Sequence, residues 1–272
     1  MSSMDIISSI ILGAVQGLTE FLPISSSGHL ILARDILRLQ TENGLAVDAV
    51  LQLATVLAVG IYFYRELIGL VATAGRLLLG RSVTATQRTL LAAIVIGTVP
   101  AIFFGLLLED IMATAFRSAL LVVVTLLVGS GLMLFAELLA RRRIRQQLTW
   151  KRGLIIGLFQ CLALVPGISR SGSTISGGLL AGLNRALAAK FSFLLSFPII
   201  AGTGLKKLFD LSTDGTLVDL GPGLIIAFLT AFFIGLAAIH FLLRFLRQHT
   251  LLIFIVYRVV LAISVFVVLL MN

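Results

Sequence analysis

Two short polar runs interrupt an otherwise apolar chain, and the residues able to do chemistry concentrate in them. The first begins with Gln16 and Glu20, four residues apart and therefore on one face of a helix. A carboxylate inside so apolar a helix is costly, which marks Glu20 as a functional position. Ser25, Ser26, Ser27, Gly28 and His29 follow, at the start of a second half-helix. A helix N-terminus offers unpaired N–H groups and a positive dipole end, both suited to phosphate oxygens. Serine hydroxyls add donors, and Gly28 lets a ligand approach the backbone closely. Capping a helix takes one serine; three beside a carboxylate and an imidazole exceed that need. His29 is the one histidine in the cluster, because His240 and His249 come late in the fifth apolar segment and just beyond it. An imidazole titrates near neutral pH, which suits proton transfer.

The second run is Pro166-Gly167-Ile168-Ser169-Arg170-Ser171-Gly172, continued by Ser173 and Thr174. A guanidinium at that depth needs an anion, and its planar fork matches phosphate oxygens. Glu20 alone could serve as that anion, or could be the partner only at rest. Ser169, Ser171, Gly172, Ser173 and Thr174 supply a second half-helix start with its own hydroxyls. Two half-helix N-termini, two hydroxyl clusters, one arginine and one carboxylate describe a site for phosphate or diphosphate. Arg258 is the other charge read within a span, about two turns into the last one and next to Tyr257, and a structural role is expected for it.

These residues need elements to position them, and composition says of what kind. Hydrophobic residues make up 59% of the chain and charged residues 12%, against roughly a quarter charged in a soluble domain. Six segments of about the length that crosses a hydrocarbon core read as spans: about 45–64, 89–108, 118–139, 186–207, 223–243 and 251–271. Two more, about 6–39 and 153–184, are apolar but broken at the polar runs. Their halves are too short to cross alone, so both read as re-entrant hairpins. Irregular backbone is tolerable at membrane depth only where protein or a wet cavity satisfies it. Cys161 is the single cysteine and excludes an intrachain disulfide. The first 13 residues carry Asp5 in place of a basic stretch, so no cleavable signal peptide is expected.

The two broken segments repeat each other at a constant offset of 144 residues. Gly13, Gln16 and Leu18 match Gly157, Gln160 and Leu162; Ser25, Ser27 and Gly28 match Ser169, Ser171 and Gly172; Gly60 matches Gly204. Only the proline slips by one place. This is an internal duplication within a single integral membrane domain over 1–272, with repeat 1 at about 1–145 and repeat 2 at about 150–272. The net charge of +9 does not point to nucleic acid, because the Arg and Lys residues cluster between apolar segments. The connections 65–88, 141–152, 185–190 and 244–250 hold fourteen Arg and Lys and one acid, Glu66, and are expected on the cytoplasmic side. The connections holding Asp5, Asp35, Glu42, Asp48, Glu109, Asp110, Asp210, Asp214 and Asp219 are expected outside, as are both termini. Three spans per repeat then place the second repeat upside down relative to the first. The fold expected is an all-α polytopic membrane protein, six transmembrane helices plus two re-entrant helical hairpins in an inverted-topology repeat, a plan common among transporters.

The segments QGLTEFLPISSSGH (16–29) and PGISRSGSTIS (166–176) resemble the two signature segments of the bacitracin-resistance type undecaprenyl-diphosphate phosphatases. The resemblance extends over the whole chain in length, hydropathy and repeat structure. It implies hydrolysis of the C55 polyprenyl diphosphate to the monophosphate and inorganic phosphate, recycling a lipid carrier of cell-wall synthesis and conferring resistance to bacitracin. It implies a plasma-membrane enzyme with its site toward the outer face and a divalent cation, Mg²⁺ or Ca²⁺, as cofactor. Gln16 and Glu20 fall on a Glu/Gln-x-x-x-Glu motif whose first position is often Glu in relatives. Gln at 16 weakens a metal role there and leaves Glu20 as the one candidate ligand, so the ion would be held chiefly by substrate oxygens. Ser25 to Ser27 and His29 fall on the first polar loop; Ser169, Arg170 and Thr174 fall on the second. Ser26 is the expected nucleophile with Glu20 or His29 as its base, and direct attack by water stands close beside it. The implied partners are the polyprenyl diphosphate and membrane lipid, with room for a homodimer and none for nucleic acid. A flippase or transporter of a phosphorylated lipid or anion is the alternative that an inverted repeat allows.

Overall fold

A computed structural model describes residues 5–37, 44–108, 118–140, 147–213 and 221–271, and every regular element in them is helical. In chain order these are α1 (Ile6–Phe21), α2 (Ser26–Leu37), α3 (Gly44–Tyr62), α4 (Tyr64–Leu78), α5 (Ala85–Leu107), α6 (Ala119–Ala140), α7 (Trp150–Leu162), α8 (Arg170–Leu180), α9 (Arg185–Thr213), α10 (Gly221–Phe245) and α11 (Leu252–Met271). Helix starts follow side-chain chemistry. Asp5 accepts from Ser8 N at 2.9 Å to cap α1, Thr84 and Gln87 form a capping box on α5, and Thr149 caps α7.

Five helices, α5, α6, α9, α10 and α11, are long and apolar enough to cross a membrane, and α3 with α4 makes a sixth if that bent pair is one span. Their outward faces leave Val99, Phe103 and Leu106 of α5 and Ile253, Val256 and Val260 of α11 more than half exposed. Such a surface suits lipid and not water. The chain is thus an integral membrane protein. Two differences from the sequence reading concern α3, α4 and α6. Residues 65–88 read as a connection, yet helix resumes at Tyr64 after an 81° bend at Phe63, because Leu67, Leu70 and Thr73 give it an inward face. Glu137, passed over in the sequence, is a buried acid in the last turn of α6; Arg185 pairs with it, and Leu251 N donates to it at 3.3 Å. Of the charges used to orient the chain, those on 38–43, 109–117, 141–146 and 214–220 lie outside the described residues.

The two broken segments appear as the helix pairs α1–α2 and α7–α8, and neither packs chiefly within its own half. Helix α1 lies along α10, and α7 lies along α5. The sequence supports this directly. Gly13-x-x-x-Gly17 on α1 faces the backbone of Ala227 and Ala231, and Gly153-x-x-x-Gly157 on α7 faces that of Ala93 and Gly97. A Cβ at Gly17 would sit 2.7 Å from Ala231 O, and one at Gly153 would sit 2.6 Å from Ala93 Cα. Small residues of this spacing let helix backbones approach where no hydrophobic force drives association. Contacts of α3 with α9 and of α6 with α11 join like positions of the two halves.

Arg258 holds the two breaks together. It is fully buried on α11 and has no carboxylate partner among the described residues. Its guanidinium instead donates to Pro23 O at 3.3 Å, Gly167 O at 3.0 Å, Leu126 O at 3.0 Å and Ser130 Oγ at 3.1 Å. Pro23 belongs to the first break and Gly167 to the second, so one side chain spans both. Gly129 on α6 leaves the space that the guanidinium fills, and Thr125 Oγ1 donates to Pro166 O at 2.7 Å beside it. The structural role expected of Arg258 is therefore seen in its contacts. Hydrogen bonds from a charged donor contribute about 1.5–3 kcal/mol each, and lysine cannot reach this many acceptors from one point. Both Arg258→Lys and Arg258→Met should lower the unfolding temperature in detergent by about 5 °C or more. An unchanged transition for the methionine variant would show that the breaks hold without this side chain.

Candidate active site

The two breaks share an unusual backbone. Among the described residues, Ser25 (φ 76°) and Ser169 (φ 78°) are the two non-glycine residues with positive φ, and they are equivalent by the 144-residue offset. That conformation is strained for a residue with a Cβ, at about 1–3 kcal/mol. Each serine recovers part of this as a helix cap. Ser25 Oγ accepts from Gly28 N at 3.4 Å and lies 3.4 Å from Ser27 Oγ. Ser169 Oγ accepts from Gly172 N at 3.1 Å and lies 3.2 Å from Ser171 Oγ. The repeat read in the sequence is thus a repeat of local conformation.

Between the breaks lies a cavity of about 330 Å³. Glu20 from α1, Ser25, Ser26 and Ser27 from the start of α2, and Ser169 and Arg170 from the start of α8 line its polar side. Ala101, Leu164, Ile199 and Ile200 add apolar lining, and Gln52, Gln160 and Thr203 further polar groups. Glu20 sits at the centre of the hydrogen bonding, with its side chain 3% exposed. One of its oxygens, Oε1, pairs with Arg170. The other, Oε2, accepts from Ser26 Oγ at 2.6 Å and from Gln16 Nε2 at 3.0 Å. By the same offset Arg170 is the counterpart of Ser26, and the counterpart of Glu20 is Leu164. Each half therefore brings one charge, and the two charges meet across the duplication.

The other candidates fall into two groups. Gln16 is fully buried behind Glu20 and steadies the carboxylate without lining the cavity. His29 turns away: its Nδ1 donates to Ser25 O at 2.7 Å, and its Nε2 then accepts from Tyr257 Oη at 2.8 Å. Both ring nitrogens are thus engaged outside the cavity. Ser171 Oγ donates to Leu22 O at 3.1 Å, tying α8 to the first break, and Thr174 Oγ1 donates to Arg170 O at 2.7 Å. Gly28, Gly172 and Ser173 are buried in the packing around the loops and are not among the cavity-lining residues. The sequence reading missed Gln52, which reaches the cavity from α3, outside both broken segments. A lone amide in an apolar span was the available signal.

Among the described residues no three of His, Cys, Asp and Glu converge in a way that could hold a metal ion. Glu20 is the one carboxylate on the cavity wall. The donor set therefore fits a cation held mainly by a ligand's own oxygens, and not a cage made by the protein alone.

Residues 9–264 match the family described as Bacitracin resistance protein BacA. The chain is 43% identical over 262 residues to an undecaprenyl-diphosphatase of Mycobacterium ulcerans (strain Agy99), covering 95% of this chain and 94% of that protein. It is 44% identical over 270 residues to the undecaprenyl-diphosphatase of Mycobacterium marinum (strain ATCC BAA-535 / M), covering 95% and 92%. A third relative of the same description, from Mycobacterium bovis (strain ATCC BAA-935 / AF2122/97), is 43% identical over 254 residues.

Proposed function

The chain belongs to the bacitracin resistance protein BacA family, and on that premise we propose that it hydrolyses undecaprenyl diphosphate to undecaprenyl phosphate and inorganic phosphate. The observation that carries this reading is the Ser26–Glu20–Arg170 arrangement on the polar wall of the cavity. A hydroxyl 2.6 Å from a buried carboxylate is a nucleophile beside its base. An arginine across from them is a clamp for phosphate oxygens. The apolar lining residues Ala101, Leu164, Ile199 and Ile200 suit the first units of a lipid chain, which would leave the cavity between helices. A transporter reading gains nothing specific from these contacts.

In the reaction proposed, the terminal phosphate enters between the two half-helix starts and draws Arg170 from Glu20. Glu20, freed of that cation, then takes the proton of Ser26. Ser26 Oγ bonds to the terminal phosphorus, and the bridging P–O bond breaks to release polyprenyl phosphate. Water then attacks the phosphoserine, its P–Oγ bond breaks, and Glu20 returns its proton to Ser26 Oγ as inorganic phosphate forms. Attack by water directly, with Glu20 taking its proton, uses the same residues and yields the same products. A divalent cation, Mg²⁺ or Ca²⁺, would be held by the diphosphate oxygens with Glu20 as the nearest carboxylate, and would neutralise charge on the transferring group. His29 and Tyr257 support the loop from behind.

The Arg and Lys distribution supports a plasma-membrane protein with the connection after α4 in the cytoplasm and the α9–α10 connection outside. In a Cys161→Ser background, Ser212→Cys should be labelled in intact cells and Ser82→Cys only after permeabilisation. The opposite pattern would invert the orientation.

The catalytic assignment is tested by phosphate release from purified protein in detergent, where vectorial transport is absent. Glu20→Gln should lower turnover by about 10²–10⁴-fold, the scale of a lost general base. It should remain folded, because Arg170 is 22% exposed and can be solvated in the cavity once unpaired. A rate near half that of the unaltered protein would reject Glu20 as the base.

A further inference from the structure

Among the described residues that line this cavity, one buried polar side chain has no hydrogen-bond partner. Gln160, on the last full turn of α7, is 3% exposed, and both its Nε2 and its Oε1 lack any hydrogen-bond partner. It nonetheless lines the cavity with Glu20, Ser26 and Arg170. A buried amide without partners is expensive, because each unmet group has given up water for nothing.

Its counterpart explains what is missing. Gln16 stands at the same place in the first half, and its Nε2 donates to Glu20 Oε2, four residues on. Four residues beyond Gln160 stands Leu164, also on the cavity wall. The second half has kept the amide and lost the anion that it would hold. Gln160 and Leu164 line the same cavity as Arg170, whose guanidinium is paired with Glu20 there.

We propose that Gln160 binds the substrate, its Nε2 donating to a phosphate oxygen that takes the place of the absent carboxylate. This rests on the phosphatase reading above and assigns to it a recognition residue outside both signature segments. The diphosphate is then held from two sides. Arg170 acts as the charged fork at the start of α8, and Gln160 acts as a neutral donor from α7. Because Gln160 Oε1 has no partner either, it can accept from a water ordered on the same phosphate.

A role in binding makes an unusual prediction about stability. Gln160→Met keeps the length and removes two unmet polar atoms, so the empty protein should unfold at the same temperature or higher. Its kcat/KM for undecaprenyl diphosphate should fall about 10- to 100-fold, the scale of a hydrogen bond to a charged group. Inorganic pyrophosphate should raise the unfolding temperature of the unaltered protein in detergent and raise that of Gln160→Met much less. Gln160→Asn keeps the amide but withdraws it by one methylene, and should show the same loss at unaltered stability; it decides the matter if the methionine variant does not fold. Unchanged kcat/KM in either variant would overturn the proposal. So would a fall in stability and activity together in Gln160→Met that Gln160→Asn restores, since the amide would then be structural. If the unaltered protein releases no phosphate, the phosphatase reading fails. The pyrophosphate shift, present with Gln160 and absent without it, still decides whether this residue binds phosphate.

Discussion

A carboxylate at membrane depth must be met by a donor, and Glu20 is met by the opposite half of the chain. Arg170 pairs with one oxygen, and Ser26 and Gln16 donate to the other. Removing one partner from such a pair costs about 3–5 kcal/mol when the other cannot be solvated. Glu20, 3% exposed, has little access to water, whereas Arg170 is 22% exposed and faces the cavity. The pair is therefore asymmetric. The acid is fixed, and the guanidinium is the member that can move to an incoming anion.

The rest of the architecture brings these two charges together. A broken helix pair cannot satisfy its own interrupted backbone away from water. Each pair here is braced by a glycine-faced contact with a span of the opposite half and by Arg258, which donates to a carbonyl in both breaks. The strain at Ser25 and Ser169 is the local cost of turning the chain so that two helix starts face one cavity. Because α1 packs on α10 and α7 on α5, the site depends on helices from both ends of the chain. Neither half contains both an acid and a base at this point.

Much of this was legible in the sequence because the signals were chemical. The Gln-x-x-x-Glu spacing, the serine loops and Arg170 pointed to residues that the structure brings to or beside one cavity, and the 144-residue offset pointed to the helix pairs that carry them. The structural role expected of Arg258 is seen in its four close donations. Other features had no sequence signal of that kind. The bend at Phe63 depends on how α4 finds an inward face, which hydropathy alone does not show. Glu137 was hidden by a strongly apolar span and is answered by Arg185, 48 residues on. That His29 would turn to Tyr257, 228 residues away, is a matter of tertiary packing. Gln160 was visible as a repeat match, but its lack of a partner appears only when Leu164 is seen where a carboxylate would stand.

In the reaction proposed Arg170 leaves Glu20 to clamp phosphate, and the shape of its side chain makes that testable. A guanidinium fork bridges two oxygens, whereas lysine presents a compact point charge. At low dielectric a misplaced charge forfeits more than it would in water. The decisive measurement is phosphate release by Arg170→Lys and Arg170→Ala, compared at equal thermal stability in the same detergent. The account requires lysine to be nearly as impaired as alanine although it preserves the charge. Turnover close to that of the unaltered protein in the lysine variant would mean that Arg170 only neutralises Glu20, and the phosphate clamp would have to be abandoned.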